Sequence, residues 1–334
     1  MQNKIHDLYY ADLDYFDGYE SFCYQNCLRL LLKSIGIKDS WAYINASMSL
    51  LYKDKELLQH SDIRSLLPEF SHFVQRMYYD DTVDAEDIFN DNINFVLKNN
   101  MPIIVGADTY YLNYASNYMK NHAIHTLILC GYDSVTDDVY IVDWYAPWFF
   151  KGTIKKADFL KARQSKNEYD GSIYSGTPIR NNWAYIEKDI VVKSKKELLD
   201  TVIKLSLEQC YNPCNSVDED FIGIEALKKL SEDMGKDECL DYEAIFRQFY
   251  GMIKRHLFLK QYLVNYNNSE KDNSITVVIE SLNNTISIMN IISMLLLKQS
   301  KLSSTRNSER IIKNMSILIC NEEIIKNQLC SYFK

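Results

Sequence analysis

The chain has 334 residues, 25% charged and 47% hydrophobic, the balance of an ordinary folded protein with enough length for one large or two smaller domains. A net charge of −8 and the lack of any basic stripe exclude nucleic acid as the main partner, since phosphate binding needs a concentrated positive surface. Residues 1 to 7 lack the charged-then-apolar pattern of a signal peptide, so a cytoplasmic location is expected, with the eight cysteines mostly reduced.

In chain order, residues 1 to 20 interleave Tyr9, Tyr10, Tyr15, Phe16 and Tyr19 with Asp7, Asp12, Asp14, Asp17 and Glu20. They show no period and read as an extended arm. The stretch from Cys23 to Gly36 predicts a helix: its first turn is polar, Leu28, Leu31, Leu32 and Ile35 recur at helical spacing, and a glycine stops it. A thiol at its start sits where the helix dipole and unpaired N–H groups favour thiolate. Further helical segments run over about Ser40 to Tyr52, Asp62 to Leu66 and Ala85 to Lys98, the last ended by Asn99-Asn100-Met101-Pro102.

The period then changes. Pro102 to Ala107 is a short apolar run between breakers and predicts a buried strand; a tyrosine-rich loop, Tyr110 to Tyr118, follows. His125 to Gly131 and Val139 to Asp143, joined by the turn-rich Tyr132 to Asp138, predict a hairpin. Alternation puts His125, Leu127 and Leu129 on one side of the first strand, and Val139, Ile141 and Asp143 on one side of the second. A turn centred on Ser134 sets His125 opposite Asp143; centring on Val135 or Thr136 moves the partner to Tyr145 or Pro147, and the first two registers keep the pair as near neighbours. A histidine oriented by a carboxylate can serve as base for a thiol at a helix start, the nucleophile, base and orienter arrangement of covalent catalysis.

These residues resemble a known family. Cys23-x-x-x-Cys27-Leu28, ending at Gly36, is similar to the nucleophile helix of papain-fold cysteine enzymes related to bacteriocin-processing peptidases. His125-Thr-Leu-Ile-Leu-Cys-Gly-Tyr-Asp and Val-Tyr-Ile-Val-Asp143 resemble their His and Asp strands. More closely still, the chain resembles the butirosin biosynthesis protein H type of acyltransferase, Gly223-Ile224-Glu225-Ala226-Leu227 included, and the amide-forming enzymes of closthioamide-type assembly are a similar group. The resemblance implies an α+β fold, with a papain-like core and antiparallel sheet in residues 1–192 and a helical C-terminal bundle or cap in 193–334. It also implies acyl transfer from a carrier-protein thioester to a small amine in thiotemplated antibiotic biosynthesis, with no cofactor beyond the carrier's phosphopantetheine arm.

By that resemblance Cys23 is the nucleophile, His125 the base and Asp143 its orienter, with Cys27 the alternative nucleophile. Papain-like enzymes place a glutamine six residues before the nucleophile as oxyanion donor; here that position is Asp17, a poor donor. The Cys23 N–H, Gln25 and Asn26 are the replacements, or Ser21 if Cys27 attacks. Trp144, Tyr145 and Trp148, directly after Asp143, are candidates to line the acyl or amine site.

From Lys195 onward the pattern is helical almost to the end, with breaks near Tyr211 to Asp220, Gly235 and Asn265 to Asn273. The longest apolar run, Ile286 to Leu297, is interrupted by Ser287, Asn290 and Ser293 and is too short to span a bilayer, so a core helix and no membrane partner are expected. Cys210-x-x-x-Cys214 has no matching second pair, so no metal is expected. Lys193, Lys195 and Lys196 read as a solvated helix start, with a carrier-docking patch as the alternative. A cysteine peptidase or amidohydrolase using the same residues, and a noncatalytic binding protein on a papain-like scaffold, are the competing functions; the oligomeric state is not legible.

Overall fold

The computed structural model describes the chain except residues 1, 5–22, 38–39, 45–48, 60–67, 72, 81, 146–147, 173, 188, 191, 209–219, 237–239, 303–304 and 334. In chain order its first elements are β1 (Gln2–Lys4), α1 (Cys23–Ser34), α2 (Ser40–Tyr43), β2 (Leu50–Lys53), β3 (Glu56–Gln59), α3 (Pro68–Ser71) and β4 (Val74–Met77). Next come α4 (Ala85–Asn99), β5 (Ile103–Asp108), β6 (Ile124–Asp133), β7 (Asp138–Tyr145), β8 (Trp148–Lys155), α5 (Lys156–Gln164) and β9 (Trp183–Ile186). Then follow α6 (Lys195–Ser206), β10 (Phe221–Ile222), α7 (Ile224–Gly235), α8 (Tyr242–Glu270), α9 (Asn273–Leu302) and α10 (Thr305–Ser331). Helix and antiparallel sheet are mixed, as an α+β layout requires.

Contacts divide the chain into two compact units, residues 1–40 with 72–191, and 41–71 with 192–334. A division into 1–192 and 193–334 differs from this in one respect: segment 41–71 clusters with the C-terminal residues. The reason is strand pairing. β2 joins both β3 and β10 in a three-stranded sheet, and Leu50, Tyr52 and Leu57 enter the core of the second unit.

In the first unit the sheet order is β4-β9-β5-β6-β7-β8, with β1 paired to the far end of β6. Ile103, Val105, Leu127, Leu129, Val139 and Ile141 form one core with Phe89, Ile93 and Val96 of α4 and Phe159 and Ala162 of α5. The alternate residues Ile104, Ile128 and Val142 are buried on the opposite face. α1 packs against β5, β6 and β7. Its end is a glycine stop: Gly36 takes φ +88°, its N–H bonds the Lys33 carbonyl at 3.0 Å, and the Ile37 N–H bonds Leu32 at 3.0 Å. These two bonds satisfy carbonyls the helix would otherwise leave open. α4 starts where Asp84 accepts the Glu86 N–H at 2.7 Å, and ends at Asn100 in the left-handed region, just ahead of Met101-Pro102.

The hairpin of β6 and β7 carries a bulge between Leu129 and Gly131. On the side away from the turn, Ile128 faces Val142 and Leu129 faces Ile141. Extended, that register is the one centred on Val135: Leu127 lies opposite Asp143, and His125 is its diagonal neighbour on the same face.

In the second unit, α8 packs against α9 and α9 against α10. Gly223, φ +63° and ψ −125°, turns the chain from β10 into α7 and bonds the Leu50 carbonyl, a conformation side chains resist. α9 contains the apolar run 286–297. By length and composition it could cross a membrane, but Ile286, Met289, Ile292, Leu295 and Leu296 are buried in the bundle core. The lysine cluster is tied down locally: Lys195 reaches Ser269 at 3.0 Å and Glu270 at 3.5 Å, while Lys196 reaches Asp200 at 3.1 Å and the Tyr332 hydroxyl.

One side chain ties the first unit together. Arg163 of α5, 2% exposed, donates to the carbonyls of Gly106 (2.9 Å), Asn181 (2.6 Å) and Asn182 and to Asn92 Oδ1 (3.1 Å). It thereby links α4, β5 and the approach to β9 with no carboxylate partner among the described residues, and burial lowers its pKa to about 9. Arg163→Met leaves these acceptors unpaired inside the protein and is expected to lower stability by about 3 kcal/mol or more, measured by urea unfolding; a loss near zero contradicts this account of the core.

Candidate active site

The site forms where the start of α1 meets the entry of β6 and the end of β7. Cys23 is the first residue of α1 and is half-buried, with no acidic side chain in that turn to offset the helix dipole. His125, the second residue of β6, is 4% exposed, and Asp143 is 2% exposed. The imidazole Nε2 lies 2.8 Å and 2.9 Å from the two Asp143 oxygens. That geometry assigns the Nε2 proton to the carboxylate and leaves Nδ1 for the thiol, which lies within hydrogen-bonding reach of His125.

A third group completes the carboxylate's surroundings. Tyr114 donates its hydroxyl to Asp143 Oδ2 at 2.7 Å, and its ring stacks on Phe150 with centroids 3.8 Å apart and planes 3° from parallel. Burial first, then the charge of Asp143, pushes the Tyr114 phenol well above its ordinary value, which keeps it a donor. A small pocket beside His125 and Asp143 is lined by Thr109, Tyr114, Ala115, Asn117 and Phe150.

The electrostatics separate the two cysteines of α1. Burial by itself pushes the Cys23 thiol up, but the charge of His125 and hydrogen bonds from His125 and Thr126 outweigh it and leave Cys23 below its ordinary value. Cys27 is driven well above by burial and then by the charges of Cys23 and Asp143. It is fully buried and donates its thiol to the Thr126 carbonyl at 3.6 Å. For His125, burial opposes the charge, yet Asp143 and Cys23 together raise its pKa well above the ordinary value. The combination favours a thiolate–imidazolium pair.

The other predicted residues fall into place unequally. Gln25 and Asn26 are both buried in the first turn of α1. Asn26 Nδ2 donates to the Trp144 carbonyl at 3.4 Å, so that amide anchors the helix start to the end of β7. Trp144 is buried on the face of β7 opposite Asp143 and meets Phe149 edge-on at 5.8 Å. The backbones of Tyr145 and Trp148 close the β7–β8 pairing; their side chains, Ser21, Asp17, Cys210 and Cys214 lie outside the described residues. Among the described residues no group of three His, Cys, Asp or Glu side chains could hold a metal ion.

Tyr114 and Phe150 escape a reading of the sequence. Tyr114 is one of several tyrosines in a loop without period, and Phe150 reaches it only because β8 pairs with β7, where Phe150 lies opposite Asp143.

Two outcomes follow. Tyr114→Phe withdraws one donor from a buried carboxylate and is expected to cost about 1–3 kcal/mol in urea unfolding; an unchanged midpoint denies the bond its role. Iodoacetamide labelling of Cys23, read by peptide mass, tests the pair. Because the folded thiol sits below its ordinary value, labelling persists at lower pH than for a peptide thiol. Because His125 sits above its own, the imidazolium survives upward to that raised pKa. Asp143→Asn removes the charge that protonates His125 and moves the labelling profile to higher pH; coincident profiles would refute the coupling.

A family model described as butirosin biosynthesis protein H, N-terminal, matches residues 23–144, little more than a third of the chain. The matched segment begins at Cys23 and ends one residue after Asp143. No curated protein matches the chain significantly. Over residues 23–144, which hold Cys23, His125 and Asp143, the chain is thus similar to the N-terminal part of butirosin biosynthesis protein H.

Proposed function

We propose that the protein is a cysteine-dependent acyltransferase of antibiotic-type natural-product biosynthesis, moving an acyl group from a carrier-protein thioester to an amine. The observation that carries the reading is the convergence of a thiol lowered below its ordinary value with a buried imidazole clasped by both oxygens of a carboxylate. The similarity of residues 23–144 to the butirosin biosynthesis family supports the biosynthetic setting.

In this mechanism the Cys23 thiolate attacks the thioester carbonyl carbon. The tetrahedral oxyanion collapses, the bond to the carrier sulfur breaks, and that sulfur takes the proton from His125. An amine then attacks the acyl-enzyme, gives its proton to His125, and expels Cys23 as thiolate, leaving an amide. Asp143 stabilises the imidazolium throughout, and Tyr114 holds Asp143. The Cys23 N–H is the oxyanion donor in this scheme, with Gln25 and Asn26 as its side-chain candidates, Asn26 through the amide N–H that does not face the Trp144 carbonyl. Tyr114 and Phe150 present stacked rings at the pocket, which limits water at the acyl-enzyme.

Intact-mass analysis after mixing with an acyl-pantetheine thioester tests this. A mass gain equal to the acyl group is expected in the wild type and in Cys27→Ala, and none in Cys23→Ala. Release faster with amines than with buffer alone supports transfer, equal release makes the protein a hydrolase, and no adduct with any thioester sinks the covalent mechanism.

A further inference from the structure

The sheet end that bears His125 bears a second histidine gripped by a second buried carboxylate. Asp108, the last residue of β5, has no exposed surface. Its Oδ2 receives His122 Nδ1 at 2.7 Å and the Ser165 hydroxyl at 2.6 Å; its Oδ1 receives the N–H groups of Tyr110 at 3.0 Å and Ala123 at 3.2 Å. The carboxylate is thus saturated by four donors, and with Nδ1 donating, Nε2 is the outward atom of the His122 ring. Tyr110 stacks on the imidazole, centroids 4.3 Å apart and planes 12° from parallel, and fixes its plane.

This ring borders a cavity of about 480 Å³, also lined by Tyr110, Tyr111, Lys161, Lys166 and Glu168. The thiol mechanism uses none of these groups. Donors dominate the lining, two ammonium groups and two phenols against the single carboxylate of Glu168, with the Asp108 carboxylate behind the ring and its oxygens taken by four donors. Lys161 makes a loose pair with Asp158 at 3.5 Å, both side chains more than a third exposed. Lys166 is exposed and makes no ion pair among the described residues. A carboxylate buried behind a histidine keeps the ring at one angle toward the space in front of it, as in sites that must place a hydrogen bond on a ligand.

We propose that this cavity binds a small organic oxyanion, a phosphate or carboxylate group, paired with Lys161 and Lys166 and hydrogen-bonded by His122 Nε2. Asp108 and Ser165 set the ring and do not touch the ligand. The inference is independent of the thiol chemistry.

Isothermal titration of the full-length protein at fixed ionic strength, with inorganic phosphate in one series and acetate in the other, tests it alongside histidine-ring NMR. The expected result is saturable binding of at least one anion, a shift of the His122 ring signals, and affinity weakened about tenfold or more in the Lys161→Met/Lys166→Met double variant. Both lysines are exposed, so the variant should fold, and Cys23→Ala should bind as the wild type does whatever the fate of the acyl transfer. Phosphate alone binding marks a phosphate ester as the ligand; both binding alike marks a carboxylate or general oxyanion site. No saturable binding of either anion, or equal affinity in the double variant, overturns the proposal.

Discussion

A carboxylate removed from water must find donors within the protein, and Asp143 sets the terms for everything around it. Its two oxygens take an imidazole and a phenol, so the negative charge is held at the cost of fixing both rings. Once His125 is fixed, its charge reaches the thiol at the start of α1 and overcomes the burial that would otherwise keep that thiol protonated. The same interior has the opposite effect one helical turn later. Cys27 feels the charge of Asp143 and of Cys23 with no compensating imidazole, and stays a thiol. Position along a single helix therefore lowers one thiol and raises another of the same chemistry.

The loop between β5 and β6 is built on the same rule. Asp108 gathers the two ends of that loop, accepting from Tyr110 at its start and from His122 and Ala123 at its finish, while Thr109 N–H bonds the Ala123 carbonyl at 3.1 Å. Pinned at both ends, the loop can hold Tyr114 over Asp143. Two buried carboxylates, at the ends of β5 and β7, thus hold two histidines that lie three residues apart beside the entry of β6.

Much of this was legible from residues alone, for identifiable reasons. The α1 helix, with its leucine spacing and glycine stop, and the hairpin, with alternating strands around a turn, are local patterns, and local patterns survive folding. His125 and Asp143 could be paired because alternation puts them on one face and two of three registers keep them near neighbours. The bulge near Cys130 could not be foreseen, since an extra residue leaves no mark in an apolar run. Nor could the placing of segment 41–71 with the C-terminal unit, which rests on the pairing of β2 with β10 across some 170 residues. Tyr114 and the Asp108 cluster were hidden because Tyr114, His122 and Ser165 sit in the loop and just past α5, where no period links sequence to position. Nor did the place of Asn26 on the helix announce the bond from its amide to the Trp144 carbonyl.

The bulge also insulates the site from the tip of the hairpin. Between it and the sheet end, β6 is held by β5 on one side, His125 opposite Ala107, and by β7 on the other. The turn itself is closed by its own bonds, with Asp133 accepting from Val135 at 2.9 Å. The distance between His125 and Asp143 is therefore held by neighbouring strands on the site's side of the bulge. Segments inserted between Ser134 and Asp137 can diversify that outer surface, or be grafted there by design, while the register at His125 and Asp143 stays as it is.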